Sequence, residues 1–153
     1  MNNTSNNEKT FSEIDQLVSI TDLNGRITYA NDEFCEITGF NRNELIGQNH
    51  RILKPRDNSS EEYKPLWEII SSGKTYRGIV RNIAKNEKEI YLSTTISPVF
   101  DKNNQIVEYI AIRFNITNKI LLQQELEIQY LKLQKAYQIA KIGTWEFHTK
   151  TKE

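Results

Sequence analysis

From Val18 to Gly39 the chain reads VSITDLNGRITYANDEFCEITG, and within these residues the hydrophobic period changes once, from two to that of a helix. Val18-Ser19-Ile20-Thr21 and Arg26-Ile27-Thr28-Tyr29-Ala30 are rich in β-branched and aromatic side chains, as strands are. Between them Asp22-Leu23-Asn24-Gly25 carries the Asn-Gly pair that closes a hairpin. Asn31 then stands where an N-cap belongs, Phe34, Ile37 and Thr38 fall on one helical face, and Gly39 supplies the stop. These residues predict a β-hairpin that runs directly into a short helix.

Short helical segments continue downstream. Asn41 can cap Arg42 to Ile46, Gly47 can end that segment, and Asn49 to Leu53 offers one more turn before Pro55. A longer helix is expected from Ser59 to Ser72, ended by Gly73. Tyr76–Lys85, Glu89–Phe100 and Ile106–Asn115 then read as three long strands joined by polar turns. Two strands, several short helices and three strands predict an α+β domain over residues 17–116, an antiparallel five-stranded sheet with its helices gathered on one face.

Upstream, residues 1–8 are polar and read as a disordered lead-in, and residues 9–16 read as an amphipathic helix whose apolar groups Phe11 and Ile14 continue to Leu17. Downstream, Thr117 to Ile142 contains neither Gly nor Pro and reads as a linker or coiled-coil helix over residues 117–142. Its best apolar stripe passes through Leu122, Leu126, Gln129, Leu133, Ala136 and Ala140; Gln129 and the alanines weaken that seam, so packing on a neighbouring domain stays open beside pairing with a second helix.

Composition narrows the function. In 153 residues, 20 basic and 20 acidic side chains cancel, which leaves no excess charge to attract nucleic acid or anionic lipid. No apolar run is long enough for a membrane span and the amino terminus has no signal-peptide core, so a cytoplasmic location is expected. A lone cysteine, Cys35, and two histidines offer no disulfide and no metal centre. No nucleophile–base order or phosphate-binding glycine loop is present, and catalysis within this stretch is not expected.

The strings ITDLNGRITYANDEFCEITGF, NELIGQNHRIL, LWEIISSGKTYRGIVRN and YIAIRFNIT resemble a PAS sensory domain. The closing Asn115-Ile116-Thr117 is similar to the family's Asp-Ile-Thr signature, with an amide in place of the acid. The tail LQKAYQIAKIGTWEFHTKT resembles the start of a second, truncated PAS module over residues 143–153, its first strand beginning at Gly143-Thr144-Trp145. The resemblance implies the amino-terminal piece of a multi-domain sensor whose full-length parent is a protein-histidine kinase, with downstream PAS and output domains in cis.

Within the family, Asn49-His50-Arg51-Ile52-Leu53 has a histidine where the blue-light subclass has its adduct-forming cysteine, and Cys35 reads as a small core residue. His50-Arg51-Ile52-Leu53, Leu66-Trp67, Gly73 to Gly78 and Arg81-Asn82 resemble the FAD-binding PAS domains of aerotaxis receptors and nitrogen-fixation redox sensors. The resemblance implies non-covalent FAD and redox or oxygen sensing, with FMN, a small metabolite or a cofactor-free relay spacer as the alternatives. Strand alternation puts Tyr76, Gly78, Val80 and Asn82 on one face, so Asn82 is a candidate for the polar edge of the flavin ring or, alternatively, a turn or surface amide. Tyr76 stands where flavin-binding relatives have tryptophan. Trp67 is a candidate ring contact or a core or lid aromatic, His50 a polar ligand contact or a helix-surface histidine, Ser19 a hydroxyl near the ring or an exposed strand serine, and Asn49 a ligand contact or a helix cap. A homodimer is expected through the N-terminal helix, the outer sheet face with Ile79 and Ile83, and the C-terminal helix.

Overall fold

The computed structural model describes residues 16–57 and 60–150. The hairpin is β1 (Leu17–Thr21) and β2 (Ile27–Ala30), followed by α1 (Asp32–Thr38), α2 (Arg42–Leu45) and a 3₁₀ turn at His50–Leu53. A second 3₁₀ turn, Ser60–Tyr63, leads into α3 (Lys64–Ser71), and then come β3 (Tyr76–Ile83), β4 (Glu89–Phe100), β5 (Ile106–Asn115) and α4 (Thr117–Lys150). The described strands form one antiparallel sheet in the order β2-β1-β5-β4-β3, so the first strand is sandwiched between its hairpin partner and the last.

The local chemistry of the opening is visible in the bonds. Asp22 Oδ1 accepts from the amides of Asn24 and Arg26 at 2.8 and 2.9 Å, and Gly25 takes the left-handed φ of +78° that closes the turn. Asn31 does more than cap α1. Its Oδ1 accepts from the Phe34 amide at 3.0 Å and the Val18 amide at 2.9 Å, while its Nδ2 donates to the Gln16 carbonyl at 2.7 Å. One side chain therefore fastens the first helix to the start of β1.

Helices and sheet bury Leu17, Ile27, Phe34, Leu45, Leu53 and Leu92 in one cluster. Leu66, Ile70 and Tyr109 form a second, with Trp67, Tyr76, Val80 and Ile96 packed against it. Across the inner face the register aligns Leu17, Arg113, Thr94 and Gly78 on successive strands β1, β5, β4 and β3. That row brings a charged side chain into the middle of the covered face.

At the end of β5 the Ile116 amide donates to the Tyr91 carbonyl at 2.9 Å, and the Tyr91 amide donates to Thr117 Oγ1 at 3.0 Å. Asn115 Oδ1 accepts from the Thr117 amide and hydroxyl at 3.1 and 2.5 Å. The neutral amide thus seats the first residue of α4 against β4 by hydrogen bonds alone. From Asn118 onward the helix is a compact unit of its own. Leu122, Leu126 and Leu133 on it are each about 70% exposed. Among the described residues no helix is long and apolar enough to cross a membrane.

Three expectations are revised. The helix expected over 59–72 splits into the 3₁₀ turn and α3, because Pro65, which has no amide hydrogen, is placed in the first turn where none is needed; Ser59 lies outside the described residues. The strand expected at Gly143-Thr144-Trp145 is helical, since α4 continues past Ile142 to Lys150. A lone extended segment has no partner for its amides and carbonyls, whereas a helix satisfies them locally. Leu17 is fully buried in the core and so leaves the apolar surface proposed for dimerisation. The lead-in and, up to residue 15, the helix expected over residues 9–16 lie outside the described residues, as do Phe11 and Ile14; Gln16 itself is not helical.

Because the Asn31 side chain makes three backbone hydrogen bonds across the α1–β1 junction, Asn31→Ala should cost about 2 kcal/mol of unfolding free energy in a denaturant titration, and Asn31→Asp, which keeps the acceptor and loses the donor, about half that.

Candidate ligand-binding site

The helices do not fill the space over the inner sheet face. A cavity of about 290 Å³ remains, walled on its apolar side by Leu66 and Ile70 of α3, Val80 of β3, Ile96 of β4 and Tyr109 and Ala111 of β5. Asn82, Thr94, Arg113, His50, Asn49 and Thr21 supply its polar wall, and Gly25, Tyr63, Trp67, Arg51, Lys54 and Lys64 complete the lining.

Asn82 is 3% exposed. Its Nδ2 donates to the Leu53 carbonyl at 3.2 Å, and its Oδ1 has no hydrogen-bond partner among the described residues. An unmet buried acceptor costs about 1–3 kcal/mol, so a side chain that lines a cavity with such an atom is prepared to receive a donor. The amide cannot simply turn over, because that would set Oδ1 against the Leu53 carbonyl oxygen.

Opposite in the sheet is Arg113, also 3% exposed. Its two terminal nitrogens donate to Ser19 Oγ at 2.9 Å and to His50 Nε2 at 3.0 Å, and its guanidinium carbon lies 5.2 Å from the centre of the Phe34 ring. Arginine can only donate, so Nε2 is the acceptor and the imidazole is neutral with its proton on Nδ1. Burial first, and the neighbouring guanidinium second, push the His50 pKa down to about 3. Burial pushes that of Arg113 down to about 10.

The six residues singled out from sequence divide. Asn82, Trp67, His50 and Asn49 line the cavity, whereas Ser19 and Tyr76 do not. Ser19 is buried behind Arg113 and holds its guanidinium. Tyr76 lies over Gly78, where a Cβ would come within 2.4 Å of the phenol oxygen, so the ring is spent covering a strand glycine. The Asn49 amide is engaged at both ends, accepting from the Arg51 amide at 3.1 Å and donating to the Asn24 carbonyl at 2.9 Å. Trp67 packs over the hairpin turn, 3.0 Å from where a Cβ on Gly25 would stand, and meets Tyr109 edge-on at 6.0 Å between centroids. Cys35 is partly buried on α1, outside the cavity lining, and burial pushes its thiol pKa up. Sequence reasoning missed Arg113, Tyr109 and Thr94. Strand alternation placed Tyr109, Ala111 and Arg113 on one face, and an arginine on the same face as a buried alanine was the signal available.

The depressed His50 pKa carries a sign. Between pH 3 and pH 6.5 the unfolded chain binds a proton that the folded one does not, so stability rises with pH across that window and is lost as pH falls through it. At pH 5 the loss should be about 2 kcal/mol relative to neutrality. Denaturant unfolding at pH 7 and pH 5 should show a smaller difference for His50→Gln than for the wild type, the titration of surface carboxylates being common to both.

The PAS domain family signature matches residues 15–118. The chain is 30% identical over 109 residues to the nitrogen fixation regulatory protein of Klebsiella pneumoniae, covering 71% of this chain and 22% of that protein. It is 31% identical over 103 residues to the aerotaxis receptor of Escherichia coli K12, covering 67% of this chain and 20% of that one, so the match spans about a fifth of either relative. Among solved structures, that of an RNA-binding light-oxygen-voltage receptor superposes with a TM-score of 0.67 at 22% identity, over 75% of this chain and 33% of that chain, a likeness of fold. With its antiparallel sheet, its short helices over one face and this match across the whole sheet, the chain belongs to the PAS domain family.

Proposed function

We propose that the chain is the sensory module of a longer signal-transduction protein and that its cavity holds FAD non-covalently for redox or oxygen sensing. The observation that carries the reading is the orphaned Asn82 Oδ1 in a cavity with an apolar and aromatic wall. A volume of about 290 Å³ is at the small end of ligand pockets and suits a ring system better than a whole dinucleotide. Lys54, Lys64 and Arg51 in the same lining have the charge to meet phosphates. The resemblance to aerotaxis and nitrogen-fixation sensors points the same way.

Asn82, Arg113, Tyr109 and Trp67 would hold the ring. Bound flavin supplies reversible redox chemistry, with a ring nitrogen that accepts a hydrogen bond when oxidised and donates one when reduced. Asn82 responds to such a reversal by keeping or surrendering its bond to the Leu53 carbonyl, which moves the 3₁₀ turn His50–Leu53. Arg113 lies two residues before Asn115, whose side chain seats Thr117 at the head of α4. Two arrangements a few kcal/mol apart are enough for a switch of this kind. Catalysis belongs in this reading to a downstream output domain, a protein-histidine kinase, and the module works as a cytoplasmic homodimer.

Incubated with excess FAD or FMN and then desalted, the protein should emerge yellow, and Asn82→Ala should bind flavin about tenfold more weakly. Cys35→Ala should bind as the wild type does. Retention of neither flavin overturns the assignment and leaves a metabolite pocket or a cofactor-free relay.

The dimer is testable separately. Leu122, Leu126 and Leu133 are exposed on α4, and Ile79 is 58% exposed on the outer face of β3. Light scattering at high micromolar concentration should give twice the chain mass, and Leu126→Glu combined with Leu133→Glu should give a monomer; a wild-type monomer mass contradicts the dimer.

A further inference from the structure

A buried guanidinium is normally matched by a carboxylate, because the desolvation of an unpaired charge is expensive. Among the described residues no carboxylate pairs with Arg113. It is held instead by a hydroxyl, a neutral imidazole and the face of Phe34, none of which carries a compensating charge. Of its five N–H donors only two are used by these partners. The cavity repeats the imbalance: Arg113, Arg51 and Lys54 line it, together with Lys64, which pairs with Glu61 at 3.9 Å, and among the described residues no aspartate or glutamate is part of the lining. Beside them the unpartnered Oδ1 of Asn82 is a second polar group left open in the same space.

We propose that Arg113 is the anion receptor of this cavity, and that its ligand sets a flat, negatively charged group, a carboxylate or the charged edge of a heterocycle, against the free donors of the guanidinium. The protein's own side chains leave the charge of Arg113 unpaired, and the ligand supplies the missing partner. A planar fork of donors suits a flat anion better than a lysine would. The low pKa of the arginine is the mark of a cation that its own surroundings do not compensate. A ligand with an N–H near its anion would also engage Asn82 Oδ1. The proposal rests on the flavin reading's premise that this cavity is the ligand site and that Arg113 meets what fills it; a free carboxylate metabolite and a flavin are two sources of the same chemistry.

The test compares benzoate with benzamide, probes of one shape that differ in charge, by thermal unfolding of the whole chain. Benzoate at ten times its dissociation constant should raise the wild-type Tm by about 3 °C, and benzamide at the same concentration should not. Arg113→Gln should abolish the difference while melting, without probe, at or above the wild-type temperature, since it removes an uncompensated charge. Arg113→Lys should retain the preference for benzoate. Equal shifts from the two probes, no shift from benzoate, or an Arg113→Gln variant that melts far below the wild type would overturn the proposal, the last because it marks a structural arginine. FAD retained equally by the wild type and Arg113→Gln overturns it as well, and removes Arg113 from the ring contacts while leaving FAD in the cavity. Benzoate selectivity through Arg113 in a chain that retains no flavin supports the proposal and removes the flavin reading alone.

Discussion

The interior of this domain is organised around a positive charge that the sheet cannot expel. Arg113 sits on β5, in the row between Leu17 of β1 and Thr94 of β4, on the face that the helices cover. Once β5 pairs with β1 in this register, the guanidinium has to find its partners inside. It finds them on three elements at once: Ser19 on β1, His50 in the 3₁₀ turn, and the Phe34 ring on α1. The same contacts force His50 to remain neutral, because a second cation at 3.0 Å in a desolvated site is prohibitively unfavourable. His50 is by this route removed from titration near neutrality.

The two polar side chains of the cavity lead outward in different directions. Asn82 reaches from β3 to the Leu53 carbonyl, at the end of the 3₁₀ turn that begins with His50. Arg113 holds β1 through Ser19 and the first residue of that turn through His50, so the turn is gripped at both ends by residues that also touch the cavity. Further along β5, Asn115 and Thr117 join the strand end to the head of α4 and to Tyr91 of β4. The cavity is therefore tied to the 3₁₀ turn by direct hydrogen bonds, whereas the head of α4 is reached only along the β5 backbone.

Stability and responsiveness are divided between regions. The hairpin and α1 are fastened by Asp22 and Asn31, whose side chains satisfy backbone amides that would otherwise be unmet. Around the cavity the opposite holds: an acceptor without a donor and a cation without an anion are retained in the interior. Such groups lower the stability of the fold, and they are gathered around the cavity rather than spread through the core.

Much of the architecture was legible in the chain itself, because it is local. Asp22 to Gly25 closes a turn by bonds within five residues, Asn31 caps the helix that follows it, and the three later strands are rich in β-branched and aromatic residues. What only the tertiary structure decided depends on residues far apart. Ser19 and Arg113 are 94 positions apart, and nothing near Ser19 shows that its hydroxyl will hold a guanidinium instead of facing a ligand. Tyr76 shares a strand face with Asn82, as alternation required, yet its ring lies over Gly78 and takes no part in the cavity lining. Strand periodicity tells which residues share a face; it does not tell which strand lies alongside, how far a side chain is deflected, or which buried polar atom is left without a partner. Those outcomes follow from packing and from the β1–β5 pairing between the two ends of the domain, and they are what turns a covered sheet face into a binding site.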